Sequence, residues 1–263
     1  MLKRFQFGKN WADYLGQISD EHLQKAQDSF QQFTGLQELK GLRFLDVGCG
    51  SGIHSWVAYR FGARTIVSFD YDADSVQTCA RLKETHAPQA ALWEIRQGDI
   101  LNQGFVNSLG TFEFVYAWGV LHHTGRMWQA IENTLRCVAE GGKFHLAIYN
   151  RHWTSPIWRI IKWTYCHSPS FIQKSLLYTY AKLIFLKAWL RHRGRTADWV
   201  AHYSADRGML LLNNLHDWLG GYPYEYASPE EIQQFVARFN FTCVKVIPNR
   251  GTGCSEFLFL KGK

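Results

Sequence analysis

Three glycines at alternate positions, Gly48, Gly50 and Gly52, follow the apolar run Phe44-Leu45-Asp46-Val47. Glycine alone takes positive φ freely, so this reads as a strand entering a tight loop that cradles a small molecule at a helix start. A dinucleotide fingerprint, G-x-G-x-x-G, would put its third glycine at position 53, where Ile53 stands, and this counts against nicotinamide and flavin cofactors. Eighteen residues past Gly52 the apolar run Ile66-Val67-Ser68-Phe69 ends in Asp70, and Gln97-Gly98-Asp99 closes a further strand-like stretch. Each acid falls where a parallel strand presents an acceptor to a ribose or a base. Such a set suits an adenosine without a pyrophosphate.

The order LDVGCGSG, SFDYD, QGD and Phe114-Val115-Tyr116-Ala117-Trp118-Gly119-Val120-Leu121-His122-His123 resembles the class I S-adenosylmethionine (SAM)-dependent methyltransferases. The likeness is to the small-molecule branch that includes quinone-biosynthesis enzymes. By motif it covers roughly residues 40–150, with the closing strands near the C-terminus. It implies SAM as cofactor. Asp46, Gly48, Gly50 and Gly52 would shape the loop and hold the methionine end, Asp70 the ribose hydroxyls, Asp99 the adenine amino group, and Ile100 would pack beside the adenine; Tyr71 and Trp118 complete the expected set. Some relatives carry Glu-x-x-Glu-His after the fourth strand to bind a divalent metal. Here Gly119 and His122 replace both carboxylates and only His123 matches, so no metal is expected.

Methyl transfer from a sulfonium is an in-line displacement: the protein must align a nucleophile, exclude water and, for a hydroxyl, take up its proton. The nucleophile should arrive at the end of the fourth strand, near Tyr116, Trp118, His122 and His123. His123 is the leading base candidate, with His122 beside it, because imidazole titrates near neutrality. Further along, His216-Asp217 offers a base and an orienting acid, although sequence neighbours seldom face each other on a helix. Tyr149, Asn150, Arg207, Tyr222 and Glu225 are the expected substrate contacts. The stretch around Arg207 and 216–225 resembles a bacterial subgroup of methyltransferases.

To position these groups, the periodicity predicts an N-terminal helical lid over 1–40 with an amphipathic helix at 18–40. A SAM-binding core follows at 41–150, with strands near 43–47, 65–69, 92–96, 112–117 and 142–149 and helices near 53–62, 74–85 and 126–139. The implied fold is α/β: a Rossmann-like, doubly wound, mostly parallel seven-stranded sheet with an antiparallel edge strand and a helical insertion after strand 5. The insertion, 151–227, is expected to form the substrate roof, with helices over 153–192 broken around His167-Ser168-Pro169. Residues 228–263 should complete the sheet, opening on the capping box of Ser228 and Glu231 with Pro229 at the first helical position and ending in a hairpin of 244–247 and 256–260.

Charge is uneven. Residues 151–207 carry 10 Lys/Arg against 2 Asp/Glu, whereas 1–150 carry 14 against 15 and 208–263 carry 5 against 5. The basic segment is interleaved with aromatic residues, as on a surface that meets an anion, a nucleic acid or a membrane interface. Six cysteines without a C-x-x-C pair, and a polar, basic Met1–Asn10, point to a reducing cytoplasmic setting, with peripheral contact to the inner membrane as one reading. The expected partner is a small-molecule acceptor, anionic or aromatic, attacked through oxygen: a phenol, a quinone head group or a sugar. Aromatic residues at 16% supply apolar walls for it. An RNA methyltransferase and a non-catalytic, membrane-peripheral SAM-binding protein are the alternatives. Nucleic acid is disfavoured because no Asn/Asp-Pro-Pro-Tyr-like motif follows the fourth strand.

Overall fold

In a computed structural model the structure describes residue 8 and residues 18–191 and 211–263. Seven strands, β1 (Arg43–Val47), β2 (Thr65–Asp70), β3 (Trp93–Gln97), β4 (Phe112–Trp118), β5 (Val138–Tyr149), β6 (Phe241–Ile247) and β7 (Cys254–Lys261), form one sheet in the order β3-β2-β1-β4-β5-β7-β6. Strands β1 to β5 are parallel. The β6–β7 hairpin closes the edge, with β7 antiparallel to both β5 and β6, so the reversed strand sits one place in from the margin. The order reverses at β1, which brings the ends of β1, β2 and β4 together where an open α/β sheet binds ligands. This is a Rossmann-like, doubly wound arrangement.

The described helices are α1 (Asp20–Thr34), α2 (Ile53–Arg60), α3 (Ala73–His86), α4 (Gln103–Leu109), α5 (Met127–Arg136), α6 (Ser155–His167), α7 (Ser170–Arg191), α8 (Leu211–Gly220) and α9 (Pro229–Ala237). One face buries Phe44, Phe114 and Tyr116 under α1 and α2; the other buries Val115, Leu146 and Phe257 under α5 and α9. Helix α4 has no counterpart in the sequence reading. Gly104 and only seven residues hide its periodicity, yet Asn102 caps it, accepting from the Phe105 N–H at 3.1 Å, and Val106 anchors it. Strand β5 starts at Val138 rather than near 142, because its register on β4 jumps between the pairs Phe112–Val138 and Phe114–Lys143 and so absorbs Gly141 and Gly142.

Helix α1 ends at Thr34, where Gly35 at φ +70° donates to the Gln31 carbonyl. Leu23, Phe30 and Phe33 are buried on the sheet, with Phe30 at 5.4 Å from Phe114 and 5.7 Å from Phe61. Lys245 holds the helix end through the carbonyls of Gln32 and Phe33. At the other terminus Ser228 and Glu231 form the expected capping box on α9.

The described residues group into two compact units, 18–155 with 225–263 and 156–191 with 211–224. In the second, helical unit Tyr165, Cys166 and Leu219 form a small core with Trp158, Ile161 and Tyr180 packed on it. Lys162 is wholly buried there: its Nζ donates to the Trp218 carbonyl and stands 3.9 Å above the Trp218 ring and 5.0 Å from the Tyr224 ring, and burial lowers its pKa to about 7. Truncating Phe30 to Ala should destabilise the protein by about 3–5 kcal/mol in urea unfolding, as expected for a core aromatic. A loss under about 1 kcal/mol would show that α1 merely rests on the sheet.

Candidate active site

The site begins where β1 ends. Gly48, Gly50 and Gly52 have φ of +70°, +51° and +82°, the left-handed region that the sequence motif requires. Packing adds a second reason for two of them: a Cβ at Gly48 would collide with the Val120 side chain, and one at Gly52 with Cys79 of α3. The loop is thus pressed between the segment after β4 and helix α3. Asp70, the last residue of β2, accepts from the Gly50 N–H at 3.0 Å and, with its other oxygen, from the Asp72 N–H at 2.9 Å. Asp72 in turn caps α3.

Asp46, 2% exposed, lies under this loop. A chain of hydrogen bonds runs to it from the sheet edge. The Trp93 indole N–H donates to Ser68 Oγ (2.8 Å), Ser68 and Ser55 hydroxyls meet at 2.6 Å, and Ser55 donates to Asp46 Oδ2 at 2.5 Å. Burial raises the Asp46 pKa to about 7 against the Ser55 hydrogen bond, with the Asp70 charge adding to the rise; burial raises Asp70 itself to about 6. Two carboxyls that resist ionisation so close together mark a place prepared for a polar or cationic ligand.

At the next strand edge Asp99 accepts from the Leu101 N–H at 2.9 Å, and Ile100 is buried, its carbonyl held by Asn133 Nδ2 at 2.8 Å. Tyr71 is exposed, and its carbonyl accepts from Gln97 Nε2 at 3.2 Å. Trp118 engages β7, its indole donating to Glu256 Oε1 at 2.5 Å.

Beyond β4 a short 3-10 turn, Leu121–His123, carries the histidine pair. Their rings lie 4.4 Å apart, and Tyr149 at the end of β5 is 3.9 Å from the His122 ring and 5.4 Å from that of His123. His122 is completely buried: the Tyr149 N–H donates to its Nδ1 at 3.3 Å, and the Glu225 N–H to its carbonyl at 3.1 Å. That geometry fits an orienting group better than the base role first considered for it; His123 is half-buried. The Glu225 carboxylate accepts from the N–H of Met127, the first residue of α5, at 3.0 Å.

Not every expected contact gathers here. Asn150 is buried, and its amide donates to the carbonyls of Asn249 (2.6 Å) and Gly251 (3.0 Å), so the side chain expected to touch substrate clamps the β6–β7 turn instead. His216 and Tyr222 belong to the helical unit. The His216 ring lies 5.9 Å from Tyr165 with its pKa lowered by burial, and Tyr222 meets His167 edge-on at 5.7 Å. Adjacent positions on α8 keep the side chains of His216 and Asp217 apart on the helix surface. Arg207 lies outside the described residues.

Tyr116, singled out at the end of the fourth strand, is the centre of a buried aromatic stack beside Asp46 whose other members carry no motif. His54 stacks on Tyr116 at 4.4 Å, Tyr116 meets His145 edge-on at 4.9 Å, and His145 stacks on Phe33 at 4.3 Å. Burial lowers His54 to about 4 and His145 to about 3 and pushes Tyr116 well above the usual tyrosine value, so the stack is neutral at physiological pH. Its only trace in sequence is polar residues on strands and helix faces otherwise apolar.

These residues fit SAM: the loop gives backbone close approach, Asp70 and Asp99 stand at successive strand ends, and Ile100 offers an apolar wall. The family described as a methyltransferase domain matches residues 19–246. Among curated proteins, tRNA U34 carboxymethyltransferase of Methylococcus capsulatus is 28% identical over 108 residues, 41% of this chain and 32% of that protein. The ubiquinone biosynthesis O-methyltransferase of a Caulobacter species is 28% identical over 118 residues, 45% of each chain. The matches thus span a third to under half of these relatives' lengths. The fold is shared with magnesium protoporphyrin IX methyltransferase of Synechocystis, solved with bound SAH, at a TM-score of 0.55, 14% identity and coverage of 94% of this chain and 86% of that one. It is also shared with a Haloferax volcanii methyltransferase complexed with the activator Trm112, at a TM-score of 0.56, 12% identity and 98% and 96% coverage. With the family match spanning most of its length and the glycine loop and strand-end acids in place, the chain belongs to the class I SAM-dependent methyltransferases.

Proposed function

We propose that the protein transfers the methyl group of SAM to a hydroxyl oxygen of a small acceptor, a phenol, a quinone head group or a sugar. The reading is carried by the convergence of His122, His123 and Tyr149 at the ends of β4 and β5, next to the loop that Val120 braces. SAM supplies an electrophilic methyl carbon on a sulfonium. Asp70 takes the ribose hydroxyls, Asp99 the adenine amino group with Ile100 against the ring, and the glycine loop with Asp46 receives the methionine end; Tyr71 and Trp118 border the same crevice. His123 removes the acceptor proton. His122 positions it by the edge-to-face contact of the two rings at 4.4 Å, its own Nδ1 accepting from the Tyr149 N–H. Tyr149 and Glu225 contact the acceptor. The O-methyltransferase relative supports oxygen as the attacked atom.

A second reading has its own support: the tRNA-modifying relatives and the excess of 10 cations over 2 acids in 151–207 are compatible with an RNA acceptor. Isotopically labelled SAM offered to metabolite extracts and to total RNA separates the two. Label in low-molecular-weight products is expected. Label in RNA, with affinity falling steeply as salt rises, would replace the first reading by the second.

Ionised Asp46 and Asp70 suit a cationic, hydroxyl-bearing ligand, and both pKa values are raised to about 7 and about 6. SAM affinity in calorimetry should therefore climb as pH rises through 6 to 7, with proton release on binding. For these two groups the sign for folding is opposite: the fold holds protons that the unfolded chain releases near pH 4, so their contribution to stability falls between about pH 4 and 7. Asp70→Asn should flatten part of both curves and weaken SAM binding by about 1.5–3 kcal/mol per charge-assisted hydrogen bond lost. His123→Ala should lower kcat by about a hundredfold or more while leaving the SAM Kd in place. An equal change in both would move His123 into the cofactor site.

A further inference from the structure

Helices α6 and α7 hold an unusual combination of residues. Neither contains an Asp or Glu, and Arg159, Lys174, Lys182, Lys187 and Arg191 are all exposed. The inward stripe of α7, Leu177, Tyr180, Ala181 and Ile184, packs on Leu215 within the helical unit. A surface helix satisfied by such a stripe ordinarily turns polar residues outward. Here the outward side is apolar as well. Phe171 is 70% exposed, Tyr178 61%, Leu183 58%, Leu186 53%, Trp189 53% and Leu190 65%. On α6, Ile157, Ile160 and Trp163 form a second exposed stripe at three-residue spacing.

We infer that the outer faces of α6 and α7 dock the protein on the surface of an anionic phospholipid bilayer. Tryptophan and tyrosine seat at the headgroup boundary, leucine and isoleucine side chains enter the acyl region, and the cations meet lipid phosphates. Among the described residues no helix is long and apolar enough to cross a membrane, and the three lysines spaced along α7 hold that helix in the interfacial plane. Charge complementarity selects the lipid surface over a neutral partner. The aliphatic side chains select it over nucleic acid, whose backbone gives leucine and isoleucine nothing to bury against. The inference is independent of the acceptor proposed above.

Flotation of the full chain with vesicles tests it. The protein should float with vesicles of equimolar phosphatidylcholine and phosphatidylglycerol and far less with phosphatidylcholine alone. The triple variant Leu186→Gln, Trp189→Gln, Leu190→Gln should lose at least about tenfold in partitioning. Lys182→Glu with Lys187→Glu, a surface change that leaves the helix packing untouched, should lose about thirtyfold. Far-UV circular dichroism and SAM affinity of both variants should match the wild type, which shows that both units are folded. Absence of flotation by the wild type, or flotation of both variants at wild-type levels, would overturn the inference. So would a wild-type dimer in sedimentation that the apolar variant converts to monomer without any vesicle binding, or a salt-sensitive complex with single-stranded RNA that the apolar variant keeps and vesicles do not displace.

Discussion

The hydrogen bond from the Gly50 backbone to the Asp70 carboxylate joins the glycine loop to the end of the neighbouring strand, and the rest of the candidate site is arranged around it. It fixes a loop whose left-handed residues would otherwise make it the softest part of the sheet edge. It also holds a carboxylate where burial disfavours its charge. Such a group costs stability in exchange for readiness, since a ligand that donates to it, or carries positive charge, relieves a strain the fold already bears. Val120 and Cys79 press on the same loop from two sides, so its shape is set by backbone preference and by packing together.

The two compact units solve different packing problems. In the sheet unit each helix finds a covered face, and even α1 is committed to the aromatic layer of Phe44, Phe61 and Phe114. The helical unit is too small to bury the apolar residues it carries. It encloses Lys162 within an aromatic box and leaves leucines and tryptophans at its surface. Lys162 belongs to the inside because the Trp218 carbonyl and two aromatic faces replace part of its hydration, and its lowered pKa measures what they fail to replace.

Much of this was legible in the sequence because the signals are local. Glycines at alternate positions announce left-handed backbone, an apolar run ending in an acid announces a strand end, and Ser-Pro-Glu-Glu announces a capped helix. Four motifs in order, the glycine loop, the two strands that end at Asp70 and Asp99 and the run into His122-His123, mark out the topology of the nucleotide-binding half. What escaped depends on residues far apart in the chain. No local pattern says that Asn150 will clamp residues 249–251, or that the Glu225 N–H will meet the carbonyl of His122, although the turn-rich Gly220-Gly221-Tyr222-Pro223 hints that the chain doubles back before Glu225. The His54, Tyr116 and His145 stack escaped because polar residues in a core are visible only once their neighbours are known. Helix α4 was missed for being short, and the early start of β5 because its irregular register hid a pair of glycines inside a strand.

The relay from Trp93 to Asp46 ties the far strand to the loop through two rotatable hydroxyls. An indole N–H can only donate, so Ser68 always accepts from Trp93, and while Asp46 is ionised Ser55 gives its proton to the carboxylate and takes one from Ser68. Each serine oxygen keeps a second lone pair, so a proton placed on Oδ2 of Asp46 can turn both hydroxyls round, Asp46 donating to Ser55 and Ser55 to Ser68. A single protonation under the loop can thus reverse two hydrogen bonds while the tryptophan keeps its acceptor throughout.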